Sequence, residues 1–193
     1  MPDGPVLHHV NLKTTRMHEM IDWYARAVGM EPSWIAPDAC WLTNDAANHR
    51  LAMLAVPGLS DDPDKLAHTG LHHFAFEYPS YDALLGACEG LLADGIRPHM
   101  VLDHGMTLSF YFVDPDGNSV ELQADNFGDW ERSTQFMRTA PEFAANPIGV
   151  PVDPDRIIAA WREGATDAEL HERAYAGEFT PEGALDLRLP APE

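Results

Sequence analysis

Three short runs carry the residue types that could do chemistry. They are Leu7-His8-His9-Val10-Asn11-Leu12, its near-copy Leu71-His72-His73-Phe74-Ala75-Phe76, and Ser119-Val120-Glu121-Leu122. Each reads as an alternating strand, on which neighbours face opposite ways, so one histidine of each pair points inward. His9 and His73 are the inward candidates. Val120 and Leu122 face away from Glu121, which leaves Glu121 pointing inward alone. A carboxylate inside a sheet needs a partner, and a metal ion would supply one. Two histidines and one carboxylate bind one face of an iron(II) ion and leave the other positions open, so that a substrate and dioxygen can bind side by side. The repeat also shows what is missing. Leu51 or Met53 stands where a symmetric site would need a second glutamate. Three protein ligands suit catalysis better than a closed structural site.

Both halves share one order of elements. Strand Val6–Thr14 leads into a helix capped by Thr15 and ended by Gly29, with Met17, Met20, Ile21, Tyr24 and Val28 at helical spacing. Strands follow near 33–35, 40–43 and 50–56. Residues 57–69 are rich in Pro, Asp, Gly and Ser and read as a linker. The order then recurs: strand 71–77, a helix capped by Ser80 and stopped by Gly95, and strands 98–102, 108–113 and 119–124, with Asp116-Gly117 as a hairpin signal. The fold class is therefore α+β. Two βαβββ modules, about 6–57 and 70–125 within 1–126, should form one curved-sheet half-barrel around the metal site. Residues 127–193 are expected to be an extension packed on that core. Two helices are predicted there, one starting at Asp153-Pro154 and one at a Thr166/Glu169 capping box, with disorder at the last residues. Phe127, Trp130 and Phe136 are expected to pack.

Composition narrows the partners. A chain of 193 residues with a formal net charge of −19 would be repelled by nucleic acid and by anionic membranes. No apolar run is long enough to span a bilayer, and no signal peptide is visible. Cys40 and Cys88 give no disulfide framework, so a reducing cytoplasm is the expected compartment. His18, His68 and His171 are assigned to solvent. A homodimer is expected on symmetry grounds.

Taken together, residues 6–125 resemble the vicinal oxygen chelate superfamily, and within it the small one-domain type I extradiol catechol dioxygenases. The resemblance rests on Leu-His-His in both halves, on His104-Gly105-Met106-Thr107, and on Ser109-Phe110-Tyr111-Phe112 leading to Asp114-Pro115-Asp116-Gly117-Asn118 and Glu121. It implies that His9, His73 and Glu121 ligate Fe(II), or Mn(II). It further implies that His49 is the acid–base residue and that His104 and Tyr111 hold the substrate's oxygens. The implied substrates are dioxygen and a catechol-type diol, with a slight preference for a bicyclic one such as a biphenyl-2,3-diol. Two relatives of the same fold class are alternatives. A thiol transferase of the fosfomycin-resistance type would need a cluster of basic residues for a phosphonate, and Lys13, Arg50, Lys65 and Arg97 form none. A metal-free binding protein of the bleomycin-resistance type would leave the two histidines and the glutamate without a purpose.

Overall fold

A computed structural model of the chain describes residues 4–190, so the disorder expected at the end concerns 191–193, outside the described residues. The chain forms two compact units. Of the described residues, one comprises those up to Lys65 together with Asp114–Asn118, and the other comprises Leu66–Val113 and those from Ser119 onward. Both βαβββ modules are present.

The first unit runs β1 (Val10–Lys13), α1 (Met17–Val28), β2 (Glu31–Ala36), β3 (Ala39–Thr43) and β4 (Leu51–Leu54). Its sheet has the order β1-β4-β3-β2, with β1 parallel to β4 and the other pairs antiparallel. Met20, Tyr24 and Ala27 of α1 are buried, as are Cys40, Leu42 and Met53 of the sheet. Fully burying a side chain of this size is worth about 1.5–3 kcal/mol. Strand β1 is shorter than expected. Its ladder begins at Val10, whose N–H reaches the Arg50 carbonyl at 3.1 Å, so His8 and His9 precede the strand and are exposed. The helix start also differs from expectation. Arg16 is the N-cap and no side chain caps the helix; the Thr14 hydroxyl accepts the N–H of Arg16 itself at 2.8 Å. Gly29 ends the helix at φ +65°, a backbone region that glycine enters without strain.

The turn Asp114–Asn118 is tied to this unit. Asp114 Oδ1 accepts the N–H groups of Asp116 and Asn118, and its Oδ2 accepts the Tyr24 hydroxyl at 2.9 Å. Gly117 sits at φ +77°, as the hairpin signal requires. Within the predicted linker lies a short 3₁₀ turn, Lys65–Ala67.

The second unit runs β5 (His73–Tyr78), α2 (Tyr81–Ala93), β6 (Met100–Asp103), β7 (Thr107–Val113) and β8 (Ser119–Asp125). Helices α3 (Trp130–Thr139) and α4 (Pro141–Ala145), strand β9 (Val150–Pro151), and helices α5 (Pro154–Arg162) and α6 (Asp167–Tyr175) follow. The sheet order is β5-β8-β7-β6-β9, with β5 parallel to β8. Hydrogen bonding thus gives two sheets where a single curved sheet was expected, because each module pairs its first strand with its own last one.

Ser80 caps α2 by accepting the Ala83 N–H, and Leu84, Leu85, Cys88 and Leu91 make its buried face. Val120, Leu122 and Ala124 are buried on one face of β8 and Ser119 and Glu121 on the other, so both faces of that strand are covered. The predicted cap of α5 at Asp153 and the full Thr166/Glu169 capping box of α6 are present. Three tail elements were not expected. Helix α3 buries only Ser133, α4 is a short turn begun by Pro141, and β9 is a two-residue edge strand. Pro151 fits there because an edge strand can spare an N–H.

Candidate metal and substrate site

In the second unit, four predicted residues come together. His73 opens β5, and Glu121 lies mid-way along β8. The register pairs Glu121 with Ala75 on one side and with Tyr111 of β7 on the other. Glu121 Oε2 lies 3.2 Å from His73 Nε2, and Oε1 accepts the Tyr111 hydroxyl at 3.0 Å. His104 Nε2 lies 2.8 Å from the same hydroxyl. The four groups therefore form one connected chain: His73, Glu121, Tyr111, His104.

Electrostatics follow from burial and pairing. Burial alone would push the Glu121 carboxyl up. Pairing with His73 and hydrogen bonding with Ser109 and Tyr111 outweigh it, and the group lies below its ordinary range. It is therefore an anion at neutral pH. Burial and the neighbouring Glu121 charge hold the Tyr111 phenol well above its usual value, so it keeps its proton. Burial likewise holds His104 below the ordinary imidazole value and favours its neutral form. A buried carboxylate oxygen beside an imidazole nitrogen is a donor pair that suits a divalent cation such as iron(II) or manganese(II).

A polar network that the sequence reading missed fixes His104. Asp103 is fully buried. It accepts the Gly105 N–H at 2.8 Å, an Asn126 N–H at 3.1 Å and His171 Nδ1–H at 2.7 Å. His171, expected in solvent, is thus a partner of Asp103, whereas His18 and His68 are exposed as expected. Gly105, at φ +85°, makes the tight turn that brings Thr107 O to His104 N–H at 2.9 Å. The clue was available in Asp103 itself, a carboxylate inside the apolar run Met100-Val101-Leu102, since a buried carboxylate must be bonded. Phe127 and Phe136 pack against each other with ring centres 5.5 Å apart, and exposed Trp130 donates its indole N–H to Glu77 at 2.8 Å.

The first unit brings His9 and His49 together, with His8 beside them. The ligand atoms of the three lie within 4.8 Å of one another. The parallel pairing of Val10 with Leu51 explains this, because it sets the residues just before β1 beside those just before β4. His9 and His49 have ring centres 4.4 Å apart. Burial, followed by His9 and His8, lowers the His49 pKa and favours its neutral form.

Register also corrects the missing fourth ligand. Glu121 pairs with Ala75, two residues after His73. The residue paired with Asn11, two after His9, is Ala52, so Ala52 rather than Leu51 or Met53 is the counterpart of Glu121. Tyr111 pairs with Glu121 as Trp41 pairs with Ala52. The repeat is therefore broken at both positions of that cross-strand pair.

Comparison with known proteins agrees with this architecture. A family model described as the Glyoxalase/Bleomycin resistance protein/Dioxygenase superfamily matches residues 6–122. Biphenyl-2,3-diol 1,2-dioxygenase 2 of Rhodococcus globerulus is 36% identical over 182 residues, covering 94% of this chain and 95% of the relative. Biphenyl-2,3-diol 1,2-dioxygenase 3 of the same organism is 37% identical over 172 residues, covering 89% and 90%. A solved glyoxalase/dioxygenase from Nostoc punctiforme shares the fold with a TM-score of 0.51 at 20% identity, over 62% of this chain and 90% of its own. A match that takes in both modules, together with relatives aligned along nearly their whole length, means that this chain belongs to the glyoxalase/bleomycin resistance protein/dioxygenase superfamily.

Proposed function

We propose that this chain is an extradiol dioxygenase. It would open the ring of a catechol-type diol next to its hydroxyls and insert both atoms of dioxygen, with an aryl-substituted diol of the biphenyl-2,3-diol kind as the first substrate to try. The observation that carries the reading is the connected set His73, Glu121, Tyr111 and His104 in one unit. The relatives' names support it, since two chains aligned along almost their full length are biphenyl-2,3-diol dioxygenases. The ligand set we propose is His9, His73 and Glu121, with iron(II) as the metal and manganese(II) as the other candidate.

A divalent metal in that set would gather both diol oxygens and lower the phenol pKa. The remaining steps fall to the chain. Protonated Tyr111 and neutral His104 would bond the diol oxygens and orient the ring. His49, held neutral, would take the proton of the bound hydroxyl as general base and return it as the ring opens. The basic side chains argue against a phosphonate substrate. Arg50 is paired with Asp45, Arg97 with Asp155, and Lys65 with the Asp116 carbonyl and the Asn118 side chain.

The test combines metal analysis with turnover. Iron-loaded protein given 2,3-dihydroxybiphenyl should consume one O₂ per diol and form a yellow ring-opened product. Glu121→Ala should lose the metal, while His49→Phe should keep it and lose most turnover, on the order of 10²-fold or more. No yellow product with any of a panel of catechols would sink the reading. Metal content in Glu121→Ala equal to the parent's would remove Glu121 from the ligand set.

A further inference from the structure

His72 and His73 are neighbours in the chain, and their Nδ1 atoms approach to 2.7 Å with the rings nearly perpendicular, at 79°. On its other side, His72 Nε2 lies 2.9 Å from the carbonyl of Leu187, near the C-terminus. A carbonyl can only accept, so His72 Nε2 carries a proton. A neutral imidazole has a single N–H, which leaves His72 Nδ1 as an acceptor. The hydrogen in the 2.7 Å contact therefore belongs to His73 Nδ1. His73 Nε2 is then a bare lone pair, and it is the atom 3.2 Å from Glu121 Oε2. With His73 neutral, two acceptors face each other, and a cation in that gap, a proton or a metal ion, satisfies both.

The segment that supplies the carbonyl is held in place. The neighbouring Asp186 carbonyl bonds His99 Nδ1 at 2.8 Å. Leu185 packs against the buried cluster of Met100, Leu102 and Tyr111. The Asp186 carboxylate accepts the Arg188 N–H at 2.9 Å, which folds the strap back on itself. The doubled histidine of the first module shows a similar approach, with His8 and His9 Nδ1 atoms 3.2 Å apart.

We propose that the Leu187 carbonyl, acting through His72, fixes the tautomer of His73 and reserves its Nε2 for the metal. His72 is then a positioning residue. The C-terminal strap is part of the metal centre, although it lies more than sixty residues beyond Glu121 in the chain. The inference rests on the reading of His73 and Glu121 as metal ligands given above. Its physical basis is that a ligating imidazole is held by whatever its other ring nitrogen donates to, and loss of such a partner typically costs 10–100-fold in metal affinity.

The experiment uses the full chain, with manganese(II) as the probe in competition with a chelator. Ring ¹⁵N shifts of His73 are read in the metal-free protein. The parent should show His73 protonated at Nδ1 alone. His72→Leu should show a mixture of tautomers and bind manganese(II) about 10–100-fold more weakly. His72→Gln should restore both readouts, because its amide can donate to Leu187 and accept from His73. His72 is exposed, so these variants remove no core packing. If His72→Leu keeps the parent's tautomer and manganese(II) affinity while Glu121→Ala loses binding, the relay is wrong and the ligand set stands. If Glu121→Ala binds manganese(II) like the parent, the ligand set fails and the relay fails with it.

Discussion

On the proposed mechanism, His104 depends on burial. Its ring lies against Tyr111, and burial holds its pKa below the ordinary 6.5. The linkage consequence has a definite sign. In the unfolded chain this imidazole takes its proton as pH falls through about 6.5, while in the folded chain it resists until a lower pH. The stability it confers is complete above 6.5 and is lost as pH falls from there toward the folded value. Metal-free protein should therefore show a urea midpoint that drops below pH 6.5, and His104→Gln should flatten that drop. An unchanged slope in the variant would show that His104 is not held neutral by its surroundings. Glu121 does not confuse the measurement, because its own displacement acts below the ordinary carboxyl value of 4.5. At this scale the sequence was informative where a residue type announces a role. His73 and Glu121 were marked by residue type and strand alternation, His104 and Tyr111 only by the family resemblance, and the four lie in one connected set. His171 was not legible, because nothing in its own neighbourhood reveals that it will meet a buried Asp103 from 68 positions away.

The elements act as rulers for these side chains, and β9 shows how strict they are. It pairs Val150 with Asp103, the residue before His104, and Gly149 precedes it at φ +90°. A Cβ on Gly149 would lie 2.2 Å from the Asp103 carbonyl oxygen and 2.7 Å from His104 Cα. Both atoms are backbone and cannot swing away. Gly149→Ala should therefore push β9 from β6, shift His104 and cost on the order of 2 kcal/mol or more in stability. Turnover should fall while metal content stays near the parent's, since His73 and Glu121 lie on other strands. A variant with parent Tm and turnover would show that this close approach is not maintained in solution. The strand and helix order of both modules was readable, because amphipathic periods and cap residues are local signals. The single-sheet expectation failed because strand pairing is a non-local choice that alternation alone does not encode. The fourth-ligand position was misread by one residue for a related reason: Ala52 is identified by its ladder partner Asn11 rather than by distance along the chain. Helix α3 escaped notice because polar and charged residues fill most of it.

Charge is the property that belongs to the molecule as a whole. Acidic residues number 31 against 12 basic ones, for a formal net charge of −19. Many of the basic side chains are already paired, as in Arg50 with Asp45, Arg97 with Asp155, Arg162 with Glu89 and Arg173 with Glu178. Little positive charge is left to offset the field that an arriving ligand meets. A neutral diol is indifferent to that field, whereas a catechol carrying a carboxylate must approach against it. On the proposed function, the handicap should appear in KM and should depend on salt. The Debye length shrinks from about 30 Å at 0.01 M to about 8 Å at 0.15 M, so long-range repulsion fades over that range. The KM for 3,4-dihydroxybenzoate should therefore fall several-fold as sodium chloride is raised from about 0.01 to about 0.3 M. The KM for 2,3-dihydroxybiphenyl should stay level across the same range. Equal salt responses for the two diols would mean that the net charge does not reach the site, and discrimination between them would then have to come from contacts with the ring alone.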